Sequence, residues 1–183
     1  SMWTLFLHSG YITIGKEKGK VKIPNEEVRR AYGKIIREAM KELEIENAMG
    51  YLLKGQKDKF EEVMRRVVRN QISYHNTREE GYHNFLLGML SCYEGYRPKS
   101  NIEAGRGRLD IVAEYIKKRE GLIIEIKVSK SEEGLEKRAK EAIEQIKEKR
   151  YRDYFGKEIR SIRLLGIAFH KKEMVCKYEE ILI

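Results

Sequence analysis

Residues 121–128 read Gly-Leu-Ile-Ile-Glu-Ile-Lys-Val, a run that is apolar except for Glu125 and Lys127. It is short, rich in β-branched residues and opened by a glycine, which makes it a strand rather than a helix. Leu122, Ile124, Ile126 and Val128 face one way, and Ile123, Glu125 and Lys127 the other. A strand apolar on both faces belongs to a sheet covered on both sides, and the usual covering is helical. The two charges share a face, with Cα atoms roughly 7 Å apart. A covered face holds a carboxylate and an ammonium only for a reason, either an ordinary cross-strand ion pair or a site.

The neighbouring segments supply the rest of such a sheet. "GRLDIVAEYI" (107–116) and the 121–128 strand are joined by "KKRE" and read as a hairpin. Residues 96–102 form a shorter strand beside Pro98, suited to an edge. "IRLLGIAF" (162–169) is almost wholly apolar, so a central strand buried on both faces is expected, and "EMVCKYEEILI" offers a last one. Leu135, Ala139, Ala142 and Ile146 recur at helical spacing between these strands, with Gln145 at the edge of the stripe. "TREEGYHNFLLGMLSCY" is a helix ahead of them. On its wheel Glu79 falls at the margin of the Tyr82, Phe85, Leu86 and Met89 face, and Glu80 on the solvent side. The later chain therefore reads α-β-β-β-α-β, a mixed sheet flanked by helices.

Upstream, "GYITIGKEKGKVKIP" reads as a hairpin stopped by Pro24. Asn25 is a good N-cap, with Glu26 and Glu27 in the first turn of a helix expected to run to about Glu44. A second helix is expected within residues 57–70, on the spacing of Phe60, Val63, Met64, Val67 and Val68. We divide the chain into a connector of hairpin and helices over 1–70, winged-helix-like in outline, and an α/β domain over 71–183.

Asp110 lies one strand before Glu125 and Lys127. In adjacent hairpin strands the two carboxylates converge, repel and lose hydration together. A divalent cation removes both costs, and Mg²⁺ takes one or two carboxylates together with water and substrate phosphate. A lysine alongside orients or deprotonates a water molecule, or holds phosphate charge. These parts suit phosphodiester hydrolysis.

A Gly-flanked Asp followed by E-x-K on the next apolar strand resembles the PD-(D/E)XK nuclease superfamily, whose domains have a restriction-endonuclease-like core. "EEGYHNFLLGML", "SNIEAGRGRLDIV", "IIEIKVSKS", "EAIEQIKEKRY" and "LLGIAFHKK" resemble the successive blocks of the bacterial and archaeal branch in which this domain follows an AAA-ATPase-like part. "SGYITI" and "IPNEEVRRAYG" resemble that branch's intervening segment. The resemblance implies that Asp110, Glu125 and Glu79 bind Mg²⁺ or Mn²⁺ and that Lys127 acts on the nucleophilic water. It implies that Gln145 and Tyr151 belong to a helix element positioning substrate. His83 matches a position to which no role is assigned. The superfamily's Pro-Asp is Leu109-Asp110 here. No G-x-x-x-x-G-K-[ST] occurs, so nucleotide binding is not carried over, and an ATPase is implied only as a partner elsewhere.

The formal net charge of +9 favours a polyanionic partner, nucleic acid being the commonest, although acidic residues interleave most basic runs; with the nuclease resemblance the expected partner is DNA before RNA. Arg106 and Arg108 either contact phosphate from the glycine-rich turn or pair with Glu103 and Glu114. His8, His75 and His170 read as packing or surface residues. Two cysteines without CxxC spacing indicate reduced thiols of a cytoplasmic protein, and there is no secretory leader and no apolar run long enough for a membrane span. Glu79 has a plainer role as a carboxylate at a helix N-terminus. The alternative to a metal-dependent nuclease is a non-catalytic module of the same fold that binds nucleic acid or protein and regulates an attached ATPase.

Overall fold

A computed structural model describes residues 2–42, 44–72, 78–93, 95–104, 107–149 and 154–183, with backbone alone at 2, 36–37, 39–42, 71, 92, 104 and 116. Packing divides the chain into two compact units, residues 1–42 and 43–183. The first unit holds helix α1 (Met2–His8), a two-stranded antiparallel hairpin of β1 (Thr13–Ile14) and β2 (Val21–Lys22), and helix α2 (Glu26–Glu42). Asn25 caps α2 as expected, its Oδ1 accepting from Val28 N at 2.9 Å. Tyr11 anchors the unit: its ring meets Phe6 edge-on, and its carbonyl accepts from the Tyr32 hydroxyl.

The second unit begins with helices α3 (Ile45–Leu53) and α4 (Lys57–Gln71) and continues through α5 (Glu79–Cys92) into the sheet. α4 packs on the last strand, so 43–70, assigned from sequence to the connector, belongs by packing to the sheet-bearing unit. Glu61 and Arg65 tie it there: Glu61 accepts from Cys176 N at 3.0 Å, and Arg65 donates to the Met174 carbonyl at 2.9 Å. Glu44, immediately ahead of α3, has a left-handed φ of 58°. A charged residue there leaves no sequence mark comparable to a glycine.

Five strands follow the order β3 (Arg97–Ala104), β4 (Gly107–Tyr115), β5 (Glu120–Val128), β6 (Ser161–His170), β7 (Glu173–Leu182). Three neighbouring pairs are antiparallel and β5–β6 is parallel. Parallel strands require a crossover, and α6 (Leu135–Glu148) supplies it. β3 is the edge that Pro98 foretold, and β6 is paired on both sides and buried along nearly its whole length.

α6 lies on the face carrying Ile123, Glu125 and Lys127. Its Ile143 and Ile146 join Ile123, Ile162 and Leu164 in one apolar cluster. α4 and α5 cover the other face, where Tyr82 stacks on Phe169 with ring centroids 4.1 Å apart. The sheet is thus the middle of three layers, and the charges of β5 lie between helix and sheet.

Gly166 sets how close α6 sits. It pairs in register with Glu125, and a Cβ there would come within 2.5 Å of the Ala139 carbonyl oxygen and 2.9 Å of Ile143 N. Backbone touches backbone, which brings the far half of α6 down onto the Glu125 side chain.

Candidate active site

The β4–β5 ladder runs from Tyr115↔Glu120 to Ile111↔Ile124 and ends there. On the other side β4 pairs with β3 at Ser100↔Ile111 and Ile102↔Leu109, leaving the position between them unpaired. That position is Asn101 opposite Asp110, and Asn101 has a left-handed φ of 54°, a conformation asparagine tolerates better than most residues. Asp110 therefore sits where the sheet parts on both sides. Its groups find other partners: the Asp110 carbonyl takes His83 Nε2 from α5 at 3.1 Å, and its Oδ2 accepts from Ile126 N at 2.8 Å. The side chain replaces the missing ladder bond and lies over β5 between Glu125 and Lys127.

Glu125 is only 1% exposed. Its Oε1 accepts from Lys127 Nζ at 3.4 Å, from Lys149 Nζ at 3.2 Å and from Gln145 Nε2, while Oε2 accepts from Lys149 Nζ at 3.1 Å. Lys127 reaches further out, its side chain 23% exposed. Burial first, then the nearby Asp110 carboxylate, push the Glu125 carboxyl above the usual range; Lys149 and Lys127 only partly offset them.

The ordinary ion pair of this sheet looks different. Arg163 on β6 is buried too, and there the buried group is the cation, which meets two more exposed carboxylates, Glu120 at 2.8 Å and Glu180 at 3.3 Å. At Glu125 the buried group is the carboxylate, and a further carboxylate, Asp110, helps push its pKa up.

Folding favours the protonated form of Glu125. The stability it contributes is full below the ordinary glutamate pKa of 4.5 and is lost as pH rises through the raised value of the folded protein. Glu125→Gln stays neutral throughout, so its stability relative to wild type should improve with rising pH across that window. Denaturant titrations from about pH 4 to about pH 8 check this; parallel curves for the two proteins would contradict it.

Glu79 and Glu80 stand in the first turn of α5, and both line a cleft of about 210 Å³ together with His83, Asn101 and Asp110. The expected contrast between an inward Glu79 and an outward Glu80 is softened, since both are exposed and both face the cleft. Among the described residues no three carboxylate, imidazole or thiol groups gather closely enough to hold a metal ion. Glu79 is thus not drawn into one set with Asp110 and Glu125; it reaches the cleft at Asp110's side. Asp110 lines the cleft and Glu125 is buried near it, and one or two carboxylates are what Mg²⁺ asks of a protein.

Gln145, expected at the edge of the α6 stripe, donates to Glu125 Oε1. Tyr151 and Arg106 lie outside the described residues, as does His75. Arg108 is exposed and donates to the Asn101 carbonyl at 3.2 Å rather than pairing with Glu103 or Glu114. His170 bonds through Nδ1 to the Ser129 carbonyl, a packing role. Cys176 is a free, buried thiol whose pKa burial pushes up. Lys149 was missed. It falls four residues beyond Gln145, hence on the same helix face, and that spacing was the available signal.

A five-stranded mixed sheet flanked by helices, with an Asp and an E-x-K pair meeting on adjacent strands, is the plan of a restriction-endonuclease-like domain. The chain belongs to the PD-(D/E)XK nuclease superfamily, whose family model matches residues 77–179. That range begins just ahead of α5 and takes in every site residue named above. No curated protein sequence matches the chain. Among the described residues no helix is long and apolar enough to cross a membrane.

Proposed function

We propose that this protein is a metal-dependent nuclease that hydrolyses phosphodiester bonds, DNA being its substrate. The observation that carries the reading is the meeting of Asp110, Glu125 and Lys127 at the place where β4 parts from both neighbours. Two carboxylates that repel one another meet there, and a lysine more exposed than Glu125 stands beside them. Asp110 and Glu125 would hold Mg²⁺ or Mn²⁺, with Glu79 as a contributor from the cleft side. When bound, the ion supplies charge neutralisation at the phosphate and lowers the pKa of the attacking water.

The chain's own groups do the rest. Asp110 keeps one oxygen on Ile126 N, which fixes its carboxylate plane and leaves the other oxygen toward the cleft. Lys127 orients the attacking water and holds phosphate charge at the mouth. Gln145 holds Glu125 in place from α6; for Tyr151 a substrate-positioning role rests on the family resemblance alone. The net charge of +9 draws a polyanion toward the protein, and Arg106 and Arg108 serve as phosphate contacts.

One observation favours the non-catalytic module instead: Glu125 already receives two ammonium groups and an amide. Incubation with supercoiled plasmid, and with DNA and RNA oligonucleotides, in Mg²⁺, Mn²⁺ or EDTA decides between them. The nuclease reading expects nicking in Mn²⁺ or Mg²⁺ and none in EDTA, with DNA cut in preference to RNA. Salt-sensitive binding without cutting in any metal would sink it and leave the module.

A further inference from the structure

Lys149 makes contacts out of proportion to a surface lysine. It leaves the C-terminal end of α6, where a cation suits the helix dipole. Its stem passes over Gly107, close enough that a Cβ there would lie 3.3 Å from Lys149 Cγ. Its side chain is 13% exposed. The ammonium reaches both oxygens of Glu125, at 3.1 and 3.2 Å, and the carbonyl oxygen of Arg108. An ammonium has three donors, and these three acceptors use them all. Lys127 touches one oxygen of the same carboxylate, at 3.4 Å.

The two lysines therefore divide their work. Lys127 is loosely held and remains available to a substrate. Lys149 grips the carboxylate across both oxygens and also caps a strand carbonyl one residue from Leu109-Asp110. That is the lone-pair set a divalent cation bound to Glu125 would draw on. A cation at the usual Mg²⁺–oxygen distance of about 2.1 Å and an ammonium at its present place compete for the same electron pairs and repel each other.

Resting on the nuclease reading above, we propose that Lys149 is a tethered counter-ion for Glu125 that competes with the divalent cation, so that loading the site requires the ammonium to swing away. Lys149 is on this view a positioning residue. It holds a buried carboxylate in place that would otherwise be uncompensated, and it raises the metal concentration at which the site fills.

The test is Mn²⁺ binding to the whole chain by calorimetry, with thermal unfolding in EDTA and in Mn²⁺. Lys149→Met should bind Mn²⁺ at least about fivefold more tightly than wild type, the low end of ordinary coupling between two ligands of one site. Its melting temperature should be lower in EDTA, and its rise on adding Mn²⁺ larger. Lys149→Arg, which keeps the charge, should stay near wild type. A purely structural lysine would shift the melting temperature and leave Mn²⁺ affinity alone. Should Lys149→Met not fold, Lys149→Gln carries the same expectation. Unchanged or weaker Mn²⁺ affinity in a folded variant, with wild type binding normally, overturns the inference and leaves the nuclease reading standing. Absence of Mn²⁺ binding in wild type and variants alike overturns both.

Discussion

Asp110→Asn is expected to abolish metal-dependent cleavage while leaving the protein folded. Asparagine keeps an oxygen for Ile126 N, so the bond that joins β4 to β5 below the end of their ladder survives. What disappears is the charge that meets Glu125. Losing a partner behind a metal ligand costs about 10- to 100-fold in affinity or activity, and loss of the ligand's own charge should exceed that. Plasmid nicking in Mn²⁺, quantified beside the melting temperature, gives both readouts. Asp110→Ala should lose cleavage and some stability as well, because Ile126 N is left without its acceptor. Cleavage at the wild-type rate in a folded Asp110→Asn protein would remove Asp110 from the site and, with it, the nuclease assignment. Lys127→Met should likewise stop cleavage with little effect on Mn²⁺ affinity, since Lys127 meets the substrate side.

Gly166→Ala is the substitution with the largest expected effect on stability. The added methyl meets the Ala139 carbonyl at 2.5 Å, Ile143 N at 2.9 Å and Ala142 Cβ at 3.0 Å. Two of these are helix backbone, which has no rotamer to change. Either α6 lifts from the sheet or β6 buckles, and overpacking of this kind costs about 3 kcal/mol. For a chain of this length that is a fall of roughly 6–12 °C in melting temperature. Cleavage should suffer beyond the stability loss, because Gln145 and Lys149 ride on the part of α6 that must move. Gly88→Ala is the control. Nothing lies within 4 Å of that added methyl, and alanine in a helix is worth up to about 1 kcal/mol over glycine. Equal stability of the two alanine variants would refute the close approach of α6.

Much of this arrangement was readable from residue order. The alternation in 121–128 placed Glu125 and Lys127 on one face, and the hairpin through "KKRE" brought Asp110 alongside. Other elements left no such trace. α3 is short and has no side-chain N-cap bond, and its apolar positions Ile45, Ala48, Met49 and Leu52 are out of phase with the stripe of α2, so it neither extends that pattern nor is long enough to announce its own. α1 was passed over because seven residues of mixed apolar character fit several structures. The parting of the sheet at Asp110 depends on the backbone of Asn101, fifty degrees into a region that no composition rule assigns to it. Lys149 looked like one more charge in "QIKEKRY"; its spacing from Gln145 hinted at a shared face, and its burial and contacts with Glu125 distinguish it.

The β5–α6–β6 crossover has a bearing on how the site comes together in time. Glu125, Lys127, Gln145 and Lys149 all belong to it, the outermost two separated by 24 positions. Contacts so near in sequence close quickly and at small entropic cost. The β4–β5 hairpin is nearer still, with Asp110 meeting Ile126 across 16 positions. The two carboxylates can thus come together as a local event during refolding, whereas Gln145 and Lys149 reach Glu125 only when α6 docks on the sheet. The folding chain brings like charges together before it brings the ammonium that offsets them, so the docking of α6 relieves a strain that the hairpin has already built.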